Sequence, residues 1–306
     1  MPKDIYLVLP GGGTKGIFQL GFMQYLFTRH KDKFNIKKVF GTSVGSLLAP
    51  FVLADRLDDA IKIVNNISHP RDVYVYHNRE LDFLPIWALF PFYVATYLGA
   101  FKKIRTDYIK TMMNRLPPEK KRIVFKNFCT NATNVNTGRQ VDFCDFDSTG
   151  QMLKAIEASC AQPSVVVPVK INGDTYLDGA IIEQYPVTKC IDILKADILK
   201  NETDPKNAVI LILDFDENPG DSLVDLDTKN NIMWYLTRLI NVSISSNTRC
   251  EYALFTRMAK ELDVQIKRYT MTNVKFKNNF DYNRCSKHKA LHEGKKKAQQ
   301  FAKEVL

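Results

Sequence analysis

Two hydrophobic patterns alternate along this chain. Ile5-Tyr6-Leu7-Val8-Leu9 and Ala208-Val209-Ile210-Leu211-Ile212-Leu213 are unbroken apolar runs of strand length, as expected of parallel strands covered on both faces. Ile17, Leu20, Met23 and Phe27 recur instead at helical spacing. The pattern predicts strands over 5–9, 36–41, 122–130, 165–170, 174–178, 208–214 and 263–270. It predicts helices over 14–29, 44–66, 103–116, 149–160, 187–197, 228–259 and 286–304. Strands alternating with helices argue an α/β architecture. No glycine/serine linker, repeat or low-complexity block interrupts residues 1–306, so one domain is expected.

The connections carry the candidate chemistry. The first strand runs into Gly11-Gly12-Gly13-Thr14-Lys15-Gly16, which opens the first helix. Glycine-rich backbone at a helix start aims several N–H groups at one point, where a phosphate or an oxyanion can bind. Gly11, Gly13 and Gly16 also satisfy the dinucleotide fingerprint, but that fingerprint wants an acid at the end of the second strand. Asp32 lies before that strand, which ends instead in Gly41-Thr42-Ser43. No Gly-Lys-Ser/Thr closes the loop, so it is not a Walker-type phosphate loop.

Gly41-Thr42-Ser43-Val44-Gly45 places a serine between two glycines on a predicted strand-to-helix turn, the setting of a nucleophile elbow. The helix dipole there favours developing negative charge. Asp178-Gly179 ends the run Thr175-Tyr176-Leu177 and by itself reads as a turn.

In this order and spacing the three segments resemble the patatin-like phospholipase family. Ala158-Ser159-Cys160-Ala161-Gln162-Pro163, leading into Val165-Val166-Val167-Pro168-Val169, is similar to the segment before the family's catalytic aspartate. The resemblance covers roughly residues 4–190; residues 191–306 are expected to complete the same domain and end in a basic helix. It implies a three-layer fold with a mainly parallel central sheet flanked by helices. It further implies a lipid acyl hydrolase with Ser43 as nucleophile, Asp178 as base, and Gly11, Gly12 and Gly13 as the oxyanion hole. Lys15, Gly16, Gly41, Gly45 and Gly179 support these motifs. The implied substrates are phospholipids, lysophospholipids or acylglycerols. The chain departs from the family at Lys15, where arginine is usual, and at Gln184, where asparagine is usual. Three other readings stay open: a non-catalytic lipid-binding module, an effector that a protein partner activates, and a Ser-His-Asp esterase using His288 or His292.

Composition narrows the partners. The net charge is +10, and the last 25 residues hold seven Lys/Arg against two Glu. A solvated helix or an anionic lipid surface accounts for this, and without a nucleic-acid motif no nucleic-acid partner is expected. No Asp-x-Asp-x-Asn loop and no Cys/His metal spacing occur, so neither a metal nor a cofactor is expected, and activity should be calcium-independent. The six cysteines are scattered, and Met1-Pro2-Lys3-Asp4 leads straight into a strand with no signal peptide. Reduced thiols and an intracellular, cytoplasmic location with peripheral membrane association are therefore expected. Residues 83–101 carry no charge over 19 positions but include Pro85, Pro91 and Gly99. A buried helix pair, an interfacial flap and a membrane span all remain open there, the prolines weighing against a span.

Overall fold

The computed structural model describes residues 1–69, 72–76, 102–163, 166–215, 250–274, 276 and 281–306. Its centre is the first apolar run. β1 (Lys3–Leu9) pairs in parallel with β2 (Phe34–Gly41) on one side and with β9 (Ala208–Phe215) on the other. β10 (Gln265–Met271) adds in parallel outside β9. The first three residues of β5 (Phe128–Asn134) continue the parallel order beside the end of β2. Beyond that point the sheet turns antiparallel. β8 (Asp174–Asp178) takes over the same edge of β5, and β7 (Val169–Ile171) pairs with β8. β6 (Arg139–Cys144) pairs along the other edge of β5. A separate two-stranded ribbon joins β3 (Tyr74–Tyr76) and β4 (Lys102–Ile104).

Alternating side chains of the central strands feed two cores. Ile5, Leu7, Leu9, Val209, Leu211 and Leu213 pack on one face. There they meet α1 (Gly16–Arg29), α2 (Val44–Leu53) and α9 (Arg284–Val305). Tyr6, Val8, Ile210 and Ile212 pack on the other face against α7 (Val187–Leu199) and the helix α8 at residues 250–261. Helices on both faces of a mostly parallel sheet are the three-layer α/β architecture expected from the sequence. α9 lies tightly on α1: a Cβ at Gly21 would collide with the Leu291 carbonyl, and one at Gly294 with that of Phe18. Phe22, Tyr269 and Phe301 stack beside that crossing.

Several expected elements move. The helix expected over 44–66 is two, α2 and α3 (Leu57–Asn66), broken where Asp55 takes φ 57°. The apolar trio Ile123-Val124-Phe125, read as strand, lies in the helix α5 (Pro118–Asn127), and β5 starts only at Phe128. The helix expected over 103–116 is α4 (Asp107–Arg115), with β4 before it. The helix α6 (Thr149–Ser159) and β8 fall where expected. Cys129 and Cys144, expected as thiols, face each other across β5 and β6 and form a disulfide. Residues 83–101, whose role the sequence left open, and most of the helix expected over 228–259 lie outside the described residues. Among the described residues no helix is long and apolar enough to cross a membrane.

Candidate active site

Register along β5 explains how distant segments meet. β2 ends with Gly41 opposite Thr130, and β8, running the other way, ends with Asp178 opposite Ala132. Two strand ends thus arrive head to head on one edge of β5, separated only by Asn131. The Asn131 side chain fills the gap. Its Oδ1 accepts from the Thr42 hydroxyl at 2.7 Å, and its amide donates to the Glu183 carbonyl at 2.8 Å. Gly179 packs against Asn131 so closely that a Cβ there would clash.

Ser43 follows β2 with φ 52° and ψ −120°. This left-handed conformation costs a non-glycine residue on the order of 1–3 kcal/mol and persists only when its surroundings enforce it. Three side chains do so. The Ser43 N–H donates to Ser159 Oγ at 2.9 Å, and its carbonyl accepts from Ser46 Oγ at 2.6 Å and Cys160 Sγ at 3.1 Å. Gly41 faces the Gly45 carbonyl, Gly45 faces the Leu9 carbonyl and Gly16 faces Val44, each with no room for a Cβ. α2 therefore starts directly over the ends of β1 and β2, and its N-terminus holds Ser43.

Asp178 is 6% exposed. Its Oδ2 accepts from the Ser43 hydroxyl at 2.7 Å, and its Oδ1 accepts from the Ala180 N–H at 2.9 Å. Its backbone is tied as well, the N–H donating to the Ala161 carbonyl and the carbonyl accepting from Thr133 Oγ1. Burial pushes the carboxyl up to about 6, partly offset by the Ala180 N–H and the Ser43 hydroxyl.

The glycine loop closes the third side. A Cβ at Gly11 would lie 3.0 Å from that of Ser43, one at Gly12 would press on the Phe215 ring, and Gly13 has φ 56°. Two buried amides fix the loop. Gln19 donates to the Pro10 carbonyl at 3.0 Å, and Gln184 donates to the Gly11 carbonyl at 2.9 Å. Among the described residues no hydrogen bond occupies the N–H of Gly12 or Gly13. Lys15 is half-buried at the end of the short 3-10 turn Gly13–Lys15, which leads into α1.

Gln184 sits in a loop that is itself held by acids. Glu183 accepts from the N–H groups of Val187 and Thr188, and Glu251 on α8 accepts from that of Tyr185. Burial raises Glu183 to about 7 and Glu251 to about 8; the Glu183 charge adds a smaller upward push on Glu251.

Ser43 and Gly13 open into a cavity of about 170 Å³, walled mainly by apolar side chains such as Leu20, Leu47, Phe51, Ile63 and Ile109. No histidine is among its described lining residues. His288 lies exposed on α9 and His292 exposed on the same helix, His69 is exposed, His30 packs by Tyr25, and His77 lies outside the described residues. Sequence reading singled out Ser43, Asp178, the glycines and Lys15, and noted Gln184 only as a departure from the family. Ser159 and Cys160 act through contacts to the Ser43 backbone, and Asn131 through the Thr42 hydroxyl and the Glu183 carbonyl, none of which residue spacing encodes. The one available signal was Ser159-Cys160 inside the family-like segment.

Comparison with known proteins follows the same outline. A family model described as patatin-like phospholipase matches residues 7–191. An uncharacterized protein of Acanthamoeba polyphaga mimivirus is 28% identical over 201 residues, 63% of this chain and 63% of that protein. Lysophospholipase NTE1 of Meyerozyma guilliermondii is 25% identical over 61% of this chain and 12% of its own length. The uncharacterized protein YqhO of Bacillus subtilis is 23% identical over 59% of this chain and 64% of that protein. The chain thus matches less than two thirds of each of these relatives. Among solved structures, VipD from Legionella pneumophila aligns over 99% of this chain and 67% of its own, with 14% identity and a TM-score of 0.49.

Proposed function

We propose that this chain, which belongs to the patatin-like phospholipase family, hydrolyses acyl esters of phospholipids or lysophospholipids with a Ser43–Asp178 dyad. Lipid acyl hydrolysis follows from the family; the dyad and the substrate are our reading. The observation that carries it is the 2.7 Å hydrogen bond from the Ser43 hydroxyl to Asp178 at the head of an apolar cavity. A lysophospholipase among the relatives supports a single-chain lipid as one substrate.

In this mechanism Ser43 Oγ attacks the acyl carbonyl while its proton passes to Asp178 Oδ2. A carboxylate of ordinary pKa is a weak base for a hydroxyl, and burial makes this one stronger. The N–H groups of Gly12 and Gly13 receive the oxyanion. Protonated Asp178 then returns the proton to the departing alcohol, leaving the acyl group on Ser43. Water attacks the acyl-enzyme, losing its proton to Asp178, and Asp178 passes that proton to Ser43 Oγ as the bond to the acyl group breaks and the fatty acid leaves. The basic residues of α9, including exposed Lys289 and Lys296, favour contact with an anionic lipid surface.

A fluorophosphonate probe followed by peptide mass spectrometry tests the reading. The expected adduct is on Ser43, with hydrolysis of a lysophospholipid lost in step. A folded protein that takes no label at Ser43, or is labelled there yet cleaves no acyl ester, would overturn it.

A further inference from the structure

One buried charged residue from the C-terminal helix contributes to the wall of the apolar cavity. Lys287 on α9 lines the cavity although it is only 6% exposed. Its ammonium donates to the Val64 carbonyl at 2.9 Å and the Ile67 carbonyl at 2.5 Å. These carbonyls lie at the C-terminal end of α3, where the helix leaves acceptors unsatisfied and its dipole favours a cation. With the ammonium held there, the methylene stem remains to face the cavity.

Lys287 also lines a second hollow of about 10 Å³, together with Ile61, His288 and Leu291 among others. That volume holds about one water at most. The two spaces share Ile17, Leu20, Val64 and Lys287. We read these four shared residues as a partition between the two spaces.

We propose that this partition, with Lys287 as its removable member, is the stop that sets the length of acyl chain the site accepts. The inference rests on the acyl-hydrolase reading above and adds the determinant of chain length. Lys287 lies outside residues 7–191, so the stop comes from a part of the chain that the family model does not reach. Each methylene buried short of the partition strengthens binding about fourfold. A methylene that would pass it meets the Lys287 stem.

The test uses p-nitrophenyl esters of a homologous series of saturated acids. A second readout is displacement of a fluorescent fatty acid by the same acids from the Ser43→Ala protein, which reads the cavity without catalysis. Lys287→Ala joins the two spaces. Both kcat/KM and affinity should then keep rising by about fourfold per methylene past the parent's optimum. Lys287→Met keeps the stem and should keep the optimum while lowering Tm. Ala60→Leu, which fills the cavity from α3, should move the optimum to shorter acids. An unshifted optimum in folded Lys287→Ala, or an equal shift in Lys287→Met, overturns the proposal. Should Lys287→Ala fail to fold, an unshifted optimum in Ala60→Leu overturns it. Shifted affinity with no ester hydrolysis in the parent would instead sink the hydrolase reading and leave the stop standing.

Discussion

The parallel and antiparallel halves of the sheet supply opposite kinds of chemistry. β10, β9, β1 and β2 all point their C-terminal ends at one edge, where the glycine loop and the start of α2 offer N–H groups and a positive dipole end. That half is suited to holding negative charge. The antiparallel half enters from the opposite direction and ends in Asp178, a carboxyl from which burial has removed water. That half is suited to holding a proton. β5 belongs to both halves, and Asn131 on it marks the boundary. A parallel β8 would have carried its C-terminal end away from Ser43. The change of strand direction is therefore what brings the Asp178 carboxyl directly to the Ser43 hydroxyl.

Removing one group from each half should have the largest effects. Ser43→Gly, Ser43→Ala and Asp178→Asn should each lower kcat/KM on the order of 10⁴-fold or more. Their stabilities should diverge. Ser43→Gly and Ser43→Ala lose the same hydroxyl, but only glycine relieves the backbone at φ 52°. Glycine should therefore be the more stable of the two by about 1–3 kcal/mol, independent of pH. Asp178→Asn should depend on pH. The folded carboxyl titrates near 6, against an ordinary 3.8. Its favourable contribution is complete below about 4 and is lost as pH rises through 6. Chemical denaturation should therefore show the Asp178→Asn protein more stable than the parent at pH 8, on the order of 3 kcal/mol, and equal to it near pH 4. A pH-independent difference would mean that burial does not set the carboxyl.

A smaller effect should appear where the halves touch indirectly. Gln184 follows β8 yet holds the Gly11 carbonyl of the parallel half. Gln184→Ala should lower kcat by about 10–100-fold with KM little changed, because loop aim matters more to the oxyanion than to the ester. Gln184→Asn, the residue usual in the family, tests whether the longer amide is required here. An equal loss through KM alone would show that Gln184 shapes the substrate pocket instead.

The activity profile should be milder still. In the proposed dyad only ionised Asp178 takes the Ser43 proton, so kcat/KM should fall about tenfold per pH unit below 6. Glu183 and Glu251, raised to about 7 and 8, touch no reacting atom. Each contributes stability that is complete below about 4.5 and is lost as pH rises to its raised value, so the loss should appear in melting curves before it appears in initial rates. An acid limb centred near 4 would place the base in water.

The two halves also differ in how openly the sequence displays them. β1 and β9 are buried on both faces and read as unbroken apolar runs, so they and the turns they feed were visible. Ser43 was visible because its two flanking glycines answer to backbone crowding at β1 and β2. The antiparallel half is legible only in part: β8 falls where the pattern puts it, and β6 does not show. β6 reads Arg-Gln-Val-Asp-Phe-Cys, too polar and short to stand out. α5 carries Ile123-Val124-Phe125 shortly before its end at Asn127, a run that mimics the strand following it. The break at Asp55 has neither glycine nor proline to announce it. Asp178 was found only because a family pattern singled it out; its periodicity reads as a turn.

The smallest expected effect is at the disulfide, and it tests whether β5 keeps its two edges apart. Cys129 and Cys144 are 15 residues apart and tie β6 to the β5 edge that faces away from β2 and β8. Ser43 and Asp178 are arranged along the opposite edge. Closing a loop of that length restricts the unfolded chain by about 3 kcal/mol at most. Reduction should therefore lower the denaturation midpoint while leaving kcat/KM within about twofold, as for sites without shared partners. The Cys144→Ser protein should behave like the reduced parent. Cys129, however, is one residue from Thr130, which pairs with Gly41 at the root of the nucleophile turn. A larger loss of rate on reduction, with stability still ample at the assay temperature, would show that strain crosses β5 through that single residue. β5 would then couple the two halves as well as aligning them.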